Sequence, residues 1–76
     1  MVNISKLRGK IAENGLSVDT LSQRMGIHNA TLYRKFNVQG ETFTIQEAKT
    51  ISAILHLTMD EVNSIFFADF VARNAN

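Results

Sequence analysis

SVDTLSQRMGIHNATLYRKF, residues 17–36, decides the fold. Ser17 is a good N-cap, and Asp19 suits the first turn of a helix. Val18, Leu21 and Met25 fall at helical spacing and form an apolar stripe. Ser22 is small and lies beside that stripe, where a following helix can cross closely. Gly26 supplies the positive φ of a sharp turn, and Ile27 plugs that turn into the core. A second helix then runs from about Asn29 to Phe36. Leu32 and Phe36, spaced i and i+4, point inward. Asn29, Ala30, Tyr33 and Arg34 are left toward solvent or a ligand.

Upstream, Ile4, Leu7 and Ile11 share one face of a helix from about Ile4 to Asn14. Asn3 can cap its start, and Asn14-Gly15 can stop it. Gly9, in the middle of this helix, either permits a close helix contact or is a tolerated defect. Downstream, NVQGETF at 37–43 is a loop containing Gly40, with Phe43 folding back onto the core. A capping box, Thr44-Ile-Gln-Glu47, opens the next helix. Its buried positions are read as Ile45, Ala48, Ile51, Ile54 and Leu55, and it stops near His56. A second box, Thr58-Met-Asp-Glu61, opens the last helix, with Met59, Val62, Ile65 and Phe66 buried. The expected fold is therefore all-α, a compact bundle of five helices.

A chain of 76 residues that is 45% hydrophobic makes one domain with a modest core. The expected domain covers 1–76, with the core at about 4–66 and an apolar tail at 67–76. Without cysteine there is no disulfide and no thiolate metal site. His28 and His56 have no second ligand at zinc spacing, so neither a metal nor a cofactor is expected. No nucleophile–base pair, phosphate loop or carboxylate pair stands out, which argues against an enzyme. No signal peptide is evident, and no apolar run approaches the ~20 residues of a membrane span. A cytoplasmic protein without a membrane partner is expected.

The net charge is only +1, but it is unevenly placed. Lys6, Arg8, Lys10, Arg24, Arg34 and Lys35 against Glu13 and Asp19 give residues 1–39 a charge of +4. Lys49 and Arg73 against Glu41, Glu47, Asp60, Glu61 and Asp69 give residues 40–76 a charge of −3. The basic part coincides with the paired helices. A second helix held at such a turn, with a polar and basic outer face, suits the major groove of DNA.

The chain resembles the Cro and repressor-type helix-turn-helix family of small regulators from temperate phages and bacteria. The resemblance rests on Leu21, Ser22 in the small-residue slot, Gly26, Ile27 and TLYRKF at 31–36. ISAILHLTMDEV at 51–62 is similar to the family's fourth-to-fifth helix junction, and VNSIFFADFVA at 62–72 to the end of small phage-encoded members. The resemblance implies a lambda-repressor-like bundle with helices 2 and 3 as the helix-turn-helix. Three positions depart from the family. Val18 stands where Gln often braces a phosphate contact. His28 stands where Ser or Thr usually caps the recognition helix. His56 replaces the Gly that stops helix 4, in a left-handed conformation that His tolerates better than most residues.

On this resemblance helix 3 reads bases. Asn29 is either a partner for adenine or, since His28 is a poor cap, the N-cap of helix 3. Arg34 can reach guanine or a phosphate, and Ala30 and Thr31 a thymine methyl. Thr31 reads equally as a plain helix residue. Phosphate contacts are assigned to the backbone N–H of Ser17, to His28, to Tyr33 unless it packs, to Lys35 unless it is simply solvated, and to Asn37 and Gln39. Lys6, Arg8 and Lys10 read as a solvated basic face. Phe67, Phe70 and Val71 either cover helix 1 or form a homodimer interface.

Two functions fit. The first is a sequence-specific regulator that reads an operator in double-stranded DNA. The second is an interaction module with the same fold, acting as antirepressor or modulator of a partner phage repressor. The low net charge, Val18 in place of Gln and the apolar tail motivate the second, while the first is the leading reading.

Overall fold

A computed structural model describes residues 2–68. They form five helices: α1 (Ile4–Glu13), α2 (Val18–Met25), α3 (Asn29–Asn37), α4 (Ile45–Ile54) and α5 (Met59–Phe66). Among the described residues there is no strand, and no helix is long and apolar enough to cross a membrane.

Local chemistry sets the helix starts. Asn3 accepts from the Lys6 N–H at the head of α1. Thr44 and Glu47 close a reciprocal box on α4, as do Thr58 and Glu61 on α5. A third box, unforeseen, opens α2. Ser17 Oγ accepts from Thr20 N–H, and Thr20 Oγ1 accepts from Ser17 N–H at 2.7 Å. Thr20 there plays the part usually given to Glu or Gln. Residues preceding the boxes, Phe43 and Leu57, are half-buried against the core, as are Ala48 and Val62, five positions on. This is the placement of a hydrophobic staple.

The helix ends follow the backbone. Gly26 closes α2 at φ 76°, and His56 adopts φ 54° after α4, so the expected left-handed histidine is found. The start of α3 corrects one reading. His28 occupies the cap position with extended backbone and no side-chain hydrogen bond, and Asn29 is the first helical residue. Asn29 is therefore not the cap.

Helix α2 is the hub, packing on α1, α3 and α4, while α1 also packs on α5. Leu7, Leu21, Leu32, Ile51 and Ile65 are fully buried at the centre. Ser22 is the one buried polar side chain among the described residues, and its hydroxyl donates to the Asp19 carbonyl at 2.6 Å. Phe43 folds back as expected, edge-on to both Phe36 and Phe66.

Two residues read as core are not. Ile45 is 75% exposed and Met59 73% exposed. Each is the first residue after its capping threonine, in the first turn of its helix. Gly9 makes no close contact, since a Cβ there would meet nothing within 4 Å. Gly40 does the opposite. At φ +74° a Cβ there would collide with Val2 Cβ. Val2 is buried there, with its N–H bonded to the Gln39 carbonyl at 3.1 Å, and the Asn3 N–H reaches the Ile65 carbonyl at 2.8 Å. The segment before α1 thus straps the α3–α4 loop to α5.

Candidate nucleic-acid interface

Sequence alone puts Leu32 and Phe36 inside α3, and both are buried. The other side of α3 exposes Asn29, Ala30, Tyr33, Arg34 and Asn37. The turn holding that face outward is fixed on three sides. Ile27 N–H bonds the Ser22 carbonyl at 3.1 Å, Gly26 N–H bonds the Gln23 carbonyl at 3.1 Å, and Ile27 packs on the core. Burial of the short Ser22 side chain, only 1% exposed, lets α3 sit close to α2.

The exposed residues are not all free. Asn29 Nδ2 donates to Asp19 Oδ1 at 3.2 Å, linking α3 to α2 across the turn. Asp19, Gln23, His28 and Asn29 line one shallow cleft of about 290 Å³ with Ser22 and Ile27. Arg34 leans back along its own helix, with Nη2 3.4 Å from Thr31 Oγ1. Thr31 is half-buried. Tyr33 is 42% exposed and edges a second cleft with Arg8, Ile11, Leu16 and Val18, so one side of its ring faces the α1–α2 junction.

Two residues named as phosphate contacts, Ser17 and Lys35, sit differently from the sequence reading. The Ser17 N–H already serves Thr20 Oγ1, so it is not an open anion donor. Lys35 turns onto the α3–α4 loop. Its ammonium donates to the Thr42 carbonyl at 3.1 Å, lies 3.2 Å from Glu47 Oε1, and stands over the Phe43 ring. With only 16% of its side chain exposed it is a clamp rather than a free charge. Burial pushes the Glu47 carboxyl up, but the Thr44 N–H and the Lys35 ammonium outweigh it and hold the group below its usual range. Gln39 has its backbone at φ 59°, with N–H and C=O bonded to Phe36 and Val2, which leaves the side chain as the exposed group.

The expected basic face of α1 is also partly used internally. Arg8 stacks over Phe36, 5.0 Å from the ring centroid. Lys10 pairs with Glu61 of α5 and, at 3.2 Å, with Glu13. The Glu61 hydrogen bond and then that of Glu13 raise the Lys10 ammonium above its ordinary value. Two of the six basic groups in the first half are thus already neutralised by carboxylates, which among the described residues leaves Lys6, Arg24 and Arg34 as its exposed charges clear of aromatic rings.

Of the apolar tail, Phe67 is 44% exposed, while Phe70 and Val71 lie outside the described residues. Phe67 lines a groove with Val2, Phe43, Ile45 and Phe66. Asp19 is the one residue at this face that sequence reading assigned only to a helix start. Its partner lies ten positions away, beyond any local pattern.

Two short helices joined at a left-handed glycine, the second baring a polar face, define a helix-turn-helix protein. Residues 6–67 match the family described as Cro/C1-type HTH DNA-binding domain, and the chain belongs to that family. Neither the curated proteins nor the solved structures yield a match to it.

Proposed function

We propose that the chain is a single-domain, sequence-specific transcriptional regulator of the phage or prophage repressor type. On this reading α3 enters the major groove of an operator and blocks promoter access. One observation carries it: Asn29, Ala30 and Arg34 share the exposed face of a helix held rigidly against α2 by the Gly26 turn. Asn29 and Arg34 are the base-reading groups, with Ala30 and Thr31 beside them for a thymine methyl. His28, Tyr33, Asn37 and Gln39 flank them for phosphates. A C2 dimer through Phe67 and the residues beyond it would set two α3 helices ~34 Å apart on a palindromic site. Such a protein acts in the cytoplasm and needs no cofactor.

The test is a fluorescence-anisotropy titration of the chain against the intergenic DNA beside its own gene, at two salt concentrations. Saturable binding that outcompetes random duplex and weakens with salt supports the regulator. Absence of binding at low salt overturns it.

A second reading keeps the fold as a module that binds a partner repressor. The internal pairing of Lys10 and Lys35 favours it, because it lowers the charge available to phosphates. Exposed Ile45 and Phe67, which line one groove, offer apolar surface for a protein partner.

A further inference from the structure

The Asp19–Asn29 hydrogen bond does more than join two helices. An ionised carboxylate can only accept, so the edge of the Asn29 amide facing Asp19 is its nitrogen. One N–H is thereby committed at 3.2 Å. The second N–H and Oδ1 have no partner among the described residues. Asp19 is itself well placed for this. It sits inside the closed Ser17–Thr20 box, and its own carbonyl is fixed by the Ser22 hydroxyl.

We propose that Asp19 is a positioning residue that fixes the donor–acceptor order Asn29 presents to a base edge, selecting adenine at the expense of general DNA affinity. This rests on the reading that α3 lies in the major groove. Adenine offers N7 as acceptor and its N6 amino group as donor, which matches one amide N–H and Oδ1. Guanine offers two acceptors, N7 and O6. An untethered amide can turn both N–H protons toward guanine. The tethered amide cannot, because Asp19 holds one of them. The carboxylate also sets a negative charge on the face that meets phosphates, and so weakens binding to every duplex alike.

The two effects separate in two variants of the full chain, Asp19→Ala and Asp19→Asn. The probes are the best duplex selected from a randomised pool by the unmodified chain, its variants at the base pair most sensitive to Asn29→Ala, and random duplex. Asp19→Ala is expected to bind random duplex severalfold more tightly and to lose roughly tenfold of its preference for A·T at that pair. Asp19→Asn removes the charge but can donate as well as accept, so it should gain the random-duplex affinity and keep only part of the preference. A purely structural role for Asp19 would not give this split. Thermal melting confirms that each variant is folded, with Asp19→Ser in reserve should the alanine variant unfold.

A readout without DNA separates this idea from the reading beneath it. The Asn29 side-chain amide signals in a ¹H–¹⁵N spectrum should shift and exchange faster in Asp19→Ala. Unchanged signals, or an unchanged A·T preference, overturn the role of Asp19 while leaving DNA binding intact. No binding by the unmodified chain at low salt overturns both.

Discussion

Glu61 of α5 holds two partners at once, the Thr58 N–H at 2.8 Å through Oε1 and the Lys10 ammonium through Oε2. One carboxylate both caps the last helix and ties it to the first. The Lys10 hydrogen bond, followed by the Thr58 N–H, draws its pKa down from 4.5 to about 2. A depressed carboxyl contributes stability above its unfolded pKa and loses it as pH falls through the folded value. The contribution is therefore whole above pH 4.5 and fades toward pH 2. On the alkaline side the raised Lys10 keeps its part until pH passes above 10.5. Glu61→Gln should lower the melting temperature at neutral pH, with the gap to the parent closing between pH 4.5 and 2. A constant gap in thermal melts across that range would refute the pairing.

Two glycines should respond in opposite directions. Gly9→Ala places a methyl in open space in mid-helix and should stabilise by about 0.5–1 kcal/mol. Gly40→Ala must hold φ +74° and displace Val2, and should cost about 2 kcal/mol or more. Urea denaturation of the two variants measures both signs.

Ser22 should tolerate removal of its hydroxyl but not added bulk. Ser22→Ala loses one hydrogen bond to a helical carbonyl, worth about 1 kcal/mol or less. Ser22→Leu forces α2 and α3 apart and should cost about 1–3 kcal/mol in stability. Because α3 shifts with it, DNA binding measured below the melting point should fall as well.

Arg34 and Lys35 are neighbours of like charge with different expected roles. Arg34→Ala should weaken binding to the best duplex by about 1–3 kcal/mol while leaving the melting temperature nearly unchanged. Lys35→Ala should lower the melting temperature, because Glu47 and the Thr42 carbonyl lose their partner. Its effect on DNA affinity should be small. The reverse pattern would return Lys35 to the phosphate-binding set.

The elements legible from sequence are those governed by short-range rules. Ser17, Thr44 and Thr58 act on N–H groups three residues ahead, so the starts of α2, α4 and α5 could be read directly. Gly26 and His56 likewise announce their backbone locally. Ile45 and Met59 were misleading because periodicity assigns a face without saying whether anything lies opposite. The charge pairs were hidden for a related reason. Lys10 meets Glu61, and Lys35 meets Glu47, only after separate helices have packed together. Net charge by segment therefore overstated the free positive surface.

The strap formed by Val2 and Asn3 bears on the order in which the chain is made. The Asn3 side chain caps α1 locally, but its own backbone N–H bonds the Ile65 carbonyl. On a ribosome, Asn3 emerges long before Ile65 is synthesised. Helices α2 and α3 can pair as soon as they appear, but the opening segment must wait for α5. This contact joins the earliest described residues to nearly the last, a non-local closure that a chain stalled before residue 65 cannot make.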